Sequence, residues 1–296
     1  MYGTIAGLVK DYIQNIAATI MNERFNEMVQ KANPPFVAAQ ASDGDFMVSK
    51  TKGAWTVAAL VKDNEVDSAM NALVTETERV KRFGFTPSEY DRARINVLKD
   101  YESLYNDRDK QRNSTFTNEY VRHFTEGGYI PGIEAEYALI NQVAQAVPVE
   151  QINKYIQDMI GDRNIVISLT GPEKEGITLP TEEELLRDFM KAQRIPVEAY
   201  KETVSNEPLI AELPAPGKIT ETKEDPLFGA TILTLGNGIK VVLKHTDFKK
   251  DEIQMTATSP GGSTLFGNKD IDNLKVFNDV IGLGGLGNFS ATDLSK

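Results

Sequence analysis

The stretch 72–102, ALVTETERVKRFGFTPSEYDRARINVLKDYE, decides how the chain is read. Helical periodicity runs from about Val66 to Phe83. Gly84 follows it as a C′ residue, where glycine takes a left-handed backbone at little steric cost. Thr86-Pro87-Ser88-Glu89 then forms a capping box with proline at the first helical position. The helix it opens extends to about Tyr105. A helix pair joined by one short turn is therefore expected over 66–105.

Upstream, Ile5, Leu8, Val9, Tyr12, Ile13, Ile16, Ile20, Phe25 and Met28 recur at three- and four-residue steps. They mark one helix from about Thr4 to Lys31, ended by Asn33-Pro34-Pro35. Three strands are expected next, at Phe36–Ala41, Phe46–Thr51 and Trp55–Val61. The turn clusters Ser42-Asp43-Gly44-Asp45 and Lys52-Gly53 separate them into an antiparallel meander.

Downstream, a polar break from Asn106 to Asn113 precedes a helix to about Thr125. A short helix follows at Ile133–Val143, and Pro148-Val149-Glu150 opens another to about Ile160. NIVISL, Asn164 to Leu169, reads as a buried strand stopped by Gly171-Pro172. Helix, antiparallel strands, helices and a strand make an α+β layer rather than alternating βαβ units.

Residues 181–226 hold eleven Asp/Glu against six Lys/Arg, with Pro196, Pro208, Pro214, Pro216 and Pro226. Thr181 to Gln193 can form an amphipathic helix, and the rest reads as an extended linker. A second unit opens with a strand at Thr231–Leu235, a Gly236-Asn237-Gly238 turn and a strand at Ile239–Lys244. Another strand at Asp251–Ser259 and a helix at Asn273–Ile281 follow. The expected division is an α+β domain at 1–180, an acidic linker at 181–228, and the truncated start of another domain at 229–296.

The chain has two histidines, no cysteine and a net charge of −11. Catalytic zinc usually takes three protein ligands rich in His, and Ser or Cys nucleophiles lean on a His base. The commonest hydrolytic chemistries are thus disfavoured. The acidic balance speaks against nucleic acid and anionic membrane as partners. Absence of cysteine excludes disulfides and suits a bacterial periplasm or cytoplasm equally. The first residues lack the basic segment and continuous apolar run of a targeting signal, and Lys10, Asp11, Gln14 and Asn15 forbid a membrane span. Both ends read as cuts through a longer polypeptide.

No residue combination stands out as a site. His123, near a helix end, suits a capping role with the helix dipole, and His245 has no local partner ligands. Gly282-Leu283-Gly284-Gly285-Leu286-Gly287 matches a dinucleotide fingerprint in letters only, since only nine residues follow it. Glu182-Glu183-Glu184 falls in the opening turn of a helix, where negative charge is favoured. Glu134 with Glu136 could serve as an acid/base pair only if both face one cleft.

Several stretches together resemble the pitrilysin/insulinase family of zinc metallopeptidases. IMNERFNEM (20–28) resembles the end of the family's long helix, and the 72–102 stretch its helix pair. GGYIPGIEAEYALINQVAQAVPVEQINKYIQDMI (127–160) and NIVISLTGPEK (164–174) resemble the later helices and last strand of a unit. TILTLGNGIKVVLKHTDFKKDEIQMTATSPGGSTLF (231–266) resembles the start of the next unit. The resemblance implies a second domain plus the opening of a third, with an antiparallel sheet carrying helices on one face. The family's His-x-x-Glu-His zinc motif lies in a unit outside this chain. The corresponding helix, DNLKVFNDVI, carries Lys275, Asn278 and Asp279 where the motif would fall. The strand matching the family's substrate-gripping residues, GAWTVAALVK, carries Trp55 and Lys62 instead. No catalytic, cofactor-binding or metal-binding residue is therefore assigned.

The resemblance implies a non-catalytic segment of a zinc metallopeptidase, forming chamber wall and supporting the catalytic domain. Zinc is expected in the parent protein and not in this segment. The implied partners are the catalytic domain of the same polypeptide and a peptide substrate of the parent. A catalytically silent scaffold subunit of the same fold and a carboxylate-based hydrolase stand as alternatives. A bare sheet edge is expected to accept the β-rich tail after Phe228, in the same chain or in a second copy.

Overall fold

The computed structural model describes residues 4–47, 49, 51–128, 130–202, 207–248 and 252–296. Helix α1 (Ile5–Val29) starts where the Thr4 hydroxyl accepts a hydrogen bond from the Gly7 N–H at 3.1 Å. Its apolar stripe buries Tyr12, Ile13, Ile16, Ala17, Ile20, Met21 and Phe25. One side of the helix lies on strand β1 (Ala38–Asp45). Strand β2 (Gly53–Leu60) pairs antiparallel with β1, from Ala38 opposite Leu60 to Asp45 opposite Gly53.

This hairpin differs from the expected three-stranded meander. Ser42-Asp43-Gly44-Asp45 lies inside β1 and not in a turn. The described part of 46–51 forms the chain reversal, closed by the Phe46 N–H donating to the Lys52 carbonyl at 2.7 Å, while 48 and 50 lie outside the described residues. Ladder pairing with 53–56 carries β1 four residues beyond Ala41, through a polar segment that is tolerated because one strand face is solvated.

Helices α2 (Val66–Phe83) and α3 (Pro87–Asn106) form the expected pair. The capping box at Thr86 and Glu89 is present, with Pro87 at the first helical position. Helices α4 (Asn113–Glu126), α5 (Ile133–Ala146) and α6 (Val149–Met159) follow. Helices α3, α5 and α6 pack around α1, so that Val97, Ile140, Val143, Ile152 and Ile156 join its stripe in one core. Phe25 and Phe36 meet edge to face at 6.0 Å, which closes the core beside the hairpin. The result is an α+β layer with helices on one face of an antiparallel pair.

Asn164–Leu169 is not a strand. Ile165 and Val166 are 43% and 62% exposed, and no described residue pairs with the segment. An apolar β-like run becomes a strand only where a ladder partner is available. Helix α7 (Glu182–Ala192) carries a second capping box, at Thr181 and Glu184, and packs on α2.

Strand β3 (Ile219–Asp225) lies within the acidic stretch read as linker and was not expected. It pairs antiparallel with β4 (Ala230–Leu235), which pairs with β5 (Lys240–Leu243) across the expected Gly236-Asn237-Gly238 turn. The β-rich tail thus pairs with itself and not with β1 or β2. Residues 252–259 are exposed and form no strand, and residue 251 lies outside the described residues. Helices α8 (Ile271–Ile281) and α9 (Ala291–Ser295) end the chain. Between them the glycine run forms a turn held by Leu286 and Phe289, with Gly285 and Gly287 at positive φ.

Candidate functional site

The most developed polar site is buried, and Arg24 is its centre. Arg24 sits one turn beyond Ile20 and between Met21 and Phe25, so the apolar stripe of α1 carries it into the core. Its side chain is 2% exposed. The guanidinium donates through Nε and Nη2 to the two carboxylate oxygens of Glu89, at 2.6 and 2.8 Å. Nη1 donates to Glu76 at 2.9 Å, and Nη2 also reaches the Gly84 carbonyl at 3.3 Å. Arg24 therefore ties α1 to α2, to α3 and to the turn between them.

The carboxylates have further partners. Glu76 also accepts from Arg79 at 2.7 Å. Glu89 accepts from the Thr86 N–H at 2.8 Å and hydroxyl at 2.9 Å, so the capping residue of α3 is also the arginine's bidentate partner. Burial works against the charge on Arg24, but the hydrogen bonds and charges of Glu89 and Glu76 outweigh it, and the guanidinium's pKa is raised. Removing Arg24 leaves two buried carboxylates without their shared cation. The guanidinium plane is covered by Phe85 at 5.3 Å and by Tyr200 at 4.3 Å.

Tyr200 carries the polar network outward. Its hydroxyl donates to Glu27, with both carboxylate oxygens at 2.7 Å. Burial first, then the Glu27 hydrogen bond, raise the phenol's pKa. Nearby, Arg92 holds Glu202 at 2.5 Å, and Ser88 donates to the same carboxylate at 2.5 Å. A separate cluster pins α6 against the hairpin. There Gln14 donates to Asp43 at 2.8 Å and to the Tyr155 oxygen at 2.9 Å, while the Tyr155 hydroxyl donates to Asp43 at 2.5 Å. These networks clamp helices and strands together around a guanidinium that is buried.

The residues weighed from sequence are not brought together. The His123 ring contacts the Gly128 carbonyl just beyond the end of α4, a local turn contact. His245 is exposed after β5. Glu134 pairs with Arg108 at 3.1 Å, whereas Glu136 faces Glu119 and Arg122 and its pKa is raised, first by burial. Lys62 donates to the Pro34 carbonyl at 2.9 Å, and Trp55 is half-buried against the core. On α8, Lys275 pairs with Asp272 at 2.9 Å, and Lys275, Asn278 and Asp279 are exposed.

Among the described residues, no group of three or more His, Cys, Asp or Glu is placed to hold a metal ion. No helix among them is long and apolar enough to cross a membrane. Sequence reasoning missed the Arg24 cluster. Its signal was an arginine inside the apolar stripe of α1, with a capping glutamate at 89 able to meet it.

No family model matches the chain. It is 24% identical over 280 residues to "Zinc protease PQQL-like" from Arabidopsis thaliana, covering 93% of this chain and 26% of that protein. Its fold matches the periplasmic protease PqqL from Escherichia coli over 99% of this chain and 32% of that one, with a TM-score of 0.55 and 14% identity. A predicted insulinase family protease from Yersinia pestis matches over 64% of this chain and 40% of that one, with a TM-score of 0.54 and 10% identity. The chain has the pitrilysin/insulinase-like fold, as the resemblance implied. It spans about a quarter of the length of the curated relative it matches.

Proposed function

We propose that this chain is a non-catalytic segment of a pitrilysin-like zinc peptidase, forming part of a substrate chamber wall and supporting a catalytic domain. Its likeness to a zinc protease over 93% of its length carries the reading. The chain's own residues do not fit a zinc site of that kind. The expected motif positions on α8 hold an ammonium, an amide and one carboxylate, at Lys275, Asn278 and Asp279, and a lysine ammonium beside the site repels a dication. No catalytic step is assigned to this segment, and zinc belongs to the parent protein. The proposed division is 1–180 as the α+β domain, 181–228 as the connection and 229–296 as the start of the next domain.

The test is zinc content and peptide cleavage by the purified chain. Dialysed protein is expected to retain no stoichiometric zinc and to leave peptides intact. Either stoichiometric zinc or cleavage above a tag-only control overturns the reading. The same positions on α8 also suit a scaffold subunit without protease activity. A His-x-x-Glu-His motif elsewhere in the full-length polypeptide decides for peptidase, and its absence there for scaffold.

A further inference from the structure

Lys296 stands out among the described lysines because its side chain is only 8% exposed. Its Nζ lies 2.9 Å from Glu27 on α1, 3.3 Å from the Tyr200 hydroxyl oxygen and 3.8 Å from Glu202. The Tyr200 ring centroid is 5.9 Å away, within cation–π range. An ammonium has three N–H donors, and these oxygens surround it. The notch also needs a cation. Glu23 stands near Arg92 at 3.9 Å, and Arg92 is committed to Glu202 at 2.5 Å. Glu23, Glu27 and Glu202 thus share Arg92 and Lys296 as their nearby positive charges.

We propose that Glu27, Tyr200 and Glu202 form an ammonium-binding notch whose occupant is the chain's own Lys296, strapping the 290–296 segment onto α1. A second contact reinforces the strap, since the Thr292 hydroxyl donates to the Gln30 side chain at 2.6 Å. Helix α9 is set for this by its own capping box, in which Ser290 and Asp293 bond reciprocally. The strap crosses from the 290–296 segment to the C-terminal end of α1. Through Tyr200, which also covers the Arg24 guanidinium at 4.3 Å, it is continuous with the buried cluster. Lys296 is thereby one of the contacts that hold the 290–296 segment against α1.

Lysine acylation of the full chain, followed by mass spectrometry, tests the strap. Lys275, whose side chain is 69% exposed, provides the reference within the same molecule. Lys296 is expected to react roughly tenfold more slowly than Lys275, because reaction requires local opening. In Glu27→Gln and in Glu27→Gln/Glu202→Gln, Lys296 is expected to approach the Lys275 rate. Equal rates in the unaltered chain overturn the proposal. If the double variant fails to fold, as judged by circular dichroism, zero-length carbodiimide cross-linking of the unaltered chain decides. Isotopically heavy and light chains are mixed before coupling. Lys296–Glu27 or Lys296–Glu202 links within one isotope class support the strap. Mixed-isotope links, or no such link, overturn it.

Discussion

The side-chain amide of Asn153 on α6 occupies the space above Gly84. A Cβ on Gly84 would stand 2.5 Å from the Asn153 Cγ. The same amide donates to the Phe85 carbonyl at 3.0 Å and accepts from the Phe85 N–H at 2.7 Å. The turn between α2 and α3 is thus bonded to a helix 68 residues further along the chain. Gly84 is required twice, for this approach and for its φ of +71°.

Gly84→Ala is accordingly expected to destabilise the chain by roughly 2–4 kcal/mol, from backbone strain and collision with Asn153. Asn153→Ala removes both hydrogen bonds and is expected to cost about 1–3 kcal/mol. Urea unfolding of both variants checks this. A Gly84→Ala midpoint equal to that of the unaltered chain contradicts the packing described.

Arg24→Met leaves Glu76 and Glu89 buried without their shared cation. The expected loss is about 3–5 kcal/mol. Arg24→Lys keeps the charge but cannot make the bidentate contact with Glu89, so it is expected to be destabilising as well. The triple variant Arg24→Met/Glu76→Gln/Glu89→Gln is expected to recover part of the loss, because none of the three positions then carries a buried charge. Thermal melts of the three proteins measure the difference, and an unchanged melt for Arg24→Met refutes the role given to the cluster.

Thr86→Ala breaks the capping box and removes the hydroxyl that bonds Glu89. A loss of about 0.5–2 kcal/mol is expected. Because Glu89 also holds Arg24, the Thr86 and Arg24 substitutions are expected to be non-additive in a double-mutant cycle. Strict additivity would show that capping and the buried ion cluster are independent.

Glu23 gives a pH dependence with a defined sign. Its pKa is raised, first by burial and then by the charges of Glu89, Glu27 and Glu202, against the opposing pull of Arg92. The folded chain therefore holds this proton more tightly than the unfolded chain does. The associated stability is present below the unfolded value and is lost as pH rises through the folded one. Glu23→Gln is expected to stabilise the chain at pH 7 and to have no such benefit below about pH 4. Denaturation at both pH values checks this, and a gain confined to low pH reverses the sign.

How much of this was legible depended on the range of the forces. The α2–α3 turn was readable because Thr86, Pro87 and Glu89 act within a few residues, and Gly84 marks its own backbone. The capping box at Thr181 announces α7 in the same way. Strands were harder, because a strand exists only with a neighbour. NIVISL looked like a buried strand by composition yet has no described partner, while the polar ITETKED of β3 showed no alternation and nevertheless pairs with β4. Asp43 and Gly44 read as turn residues, but ladder pairing with Trp55 and Ala54 carries them inside β1. The Arg24 cluster joins positions 24, 76 and 89, and Lys296 meets Glu27 from the far end of the chain. Such pairings depend on tertiary placement that one-dimensional periodicity does not contain.

Helix α1 is enclosed by β1, α3, α5 and α6, and its deepest neighbours include Ile152 and Ile156. The stripe of α1 is therefore completed by a segment more than a hundred residues further along the chain. Until α6 emerges, the stripe from Tyr12 to Phe25 has only part of its cover. Such non-local closure slows folding and favours aggregation of incomplete chains. Truncations ending before residue 156 should accordingly be poorly soluble, whereas chains extending past 160 gain the cover that α6 provides.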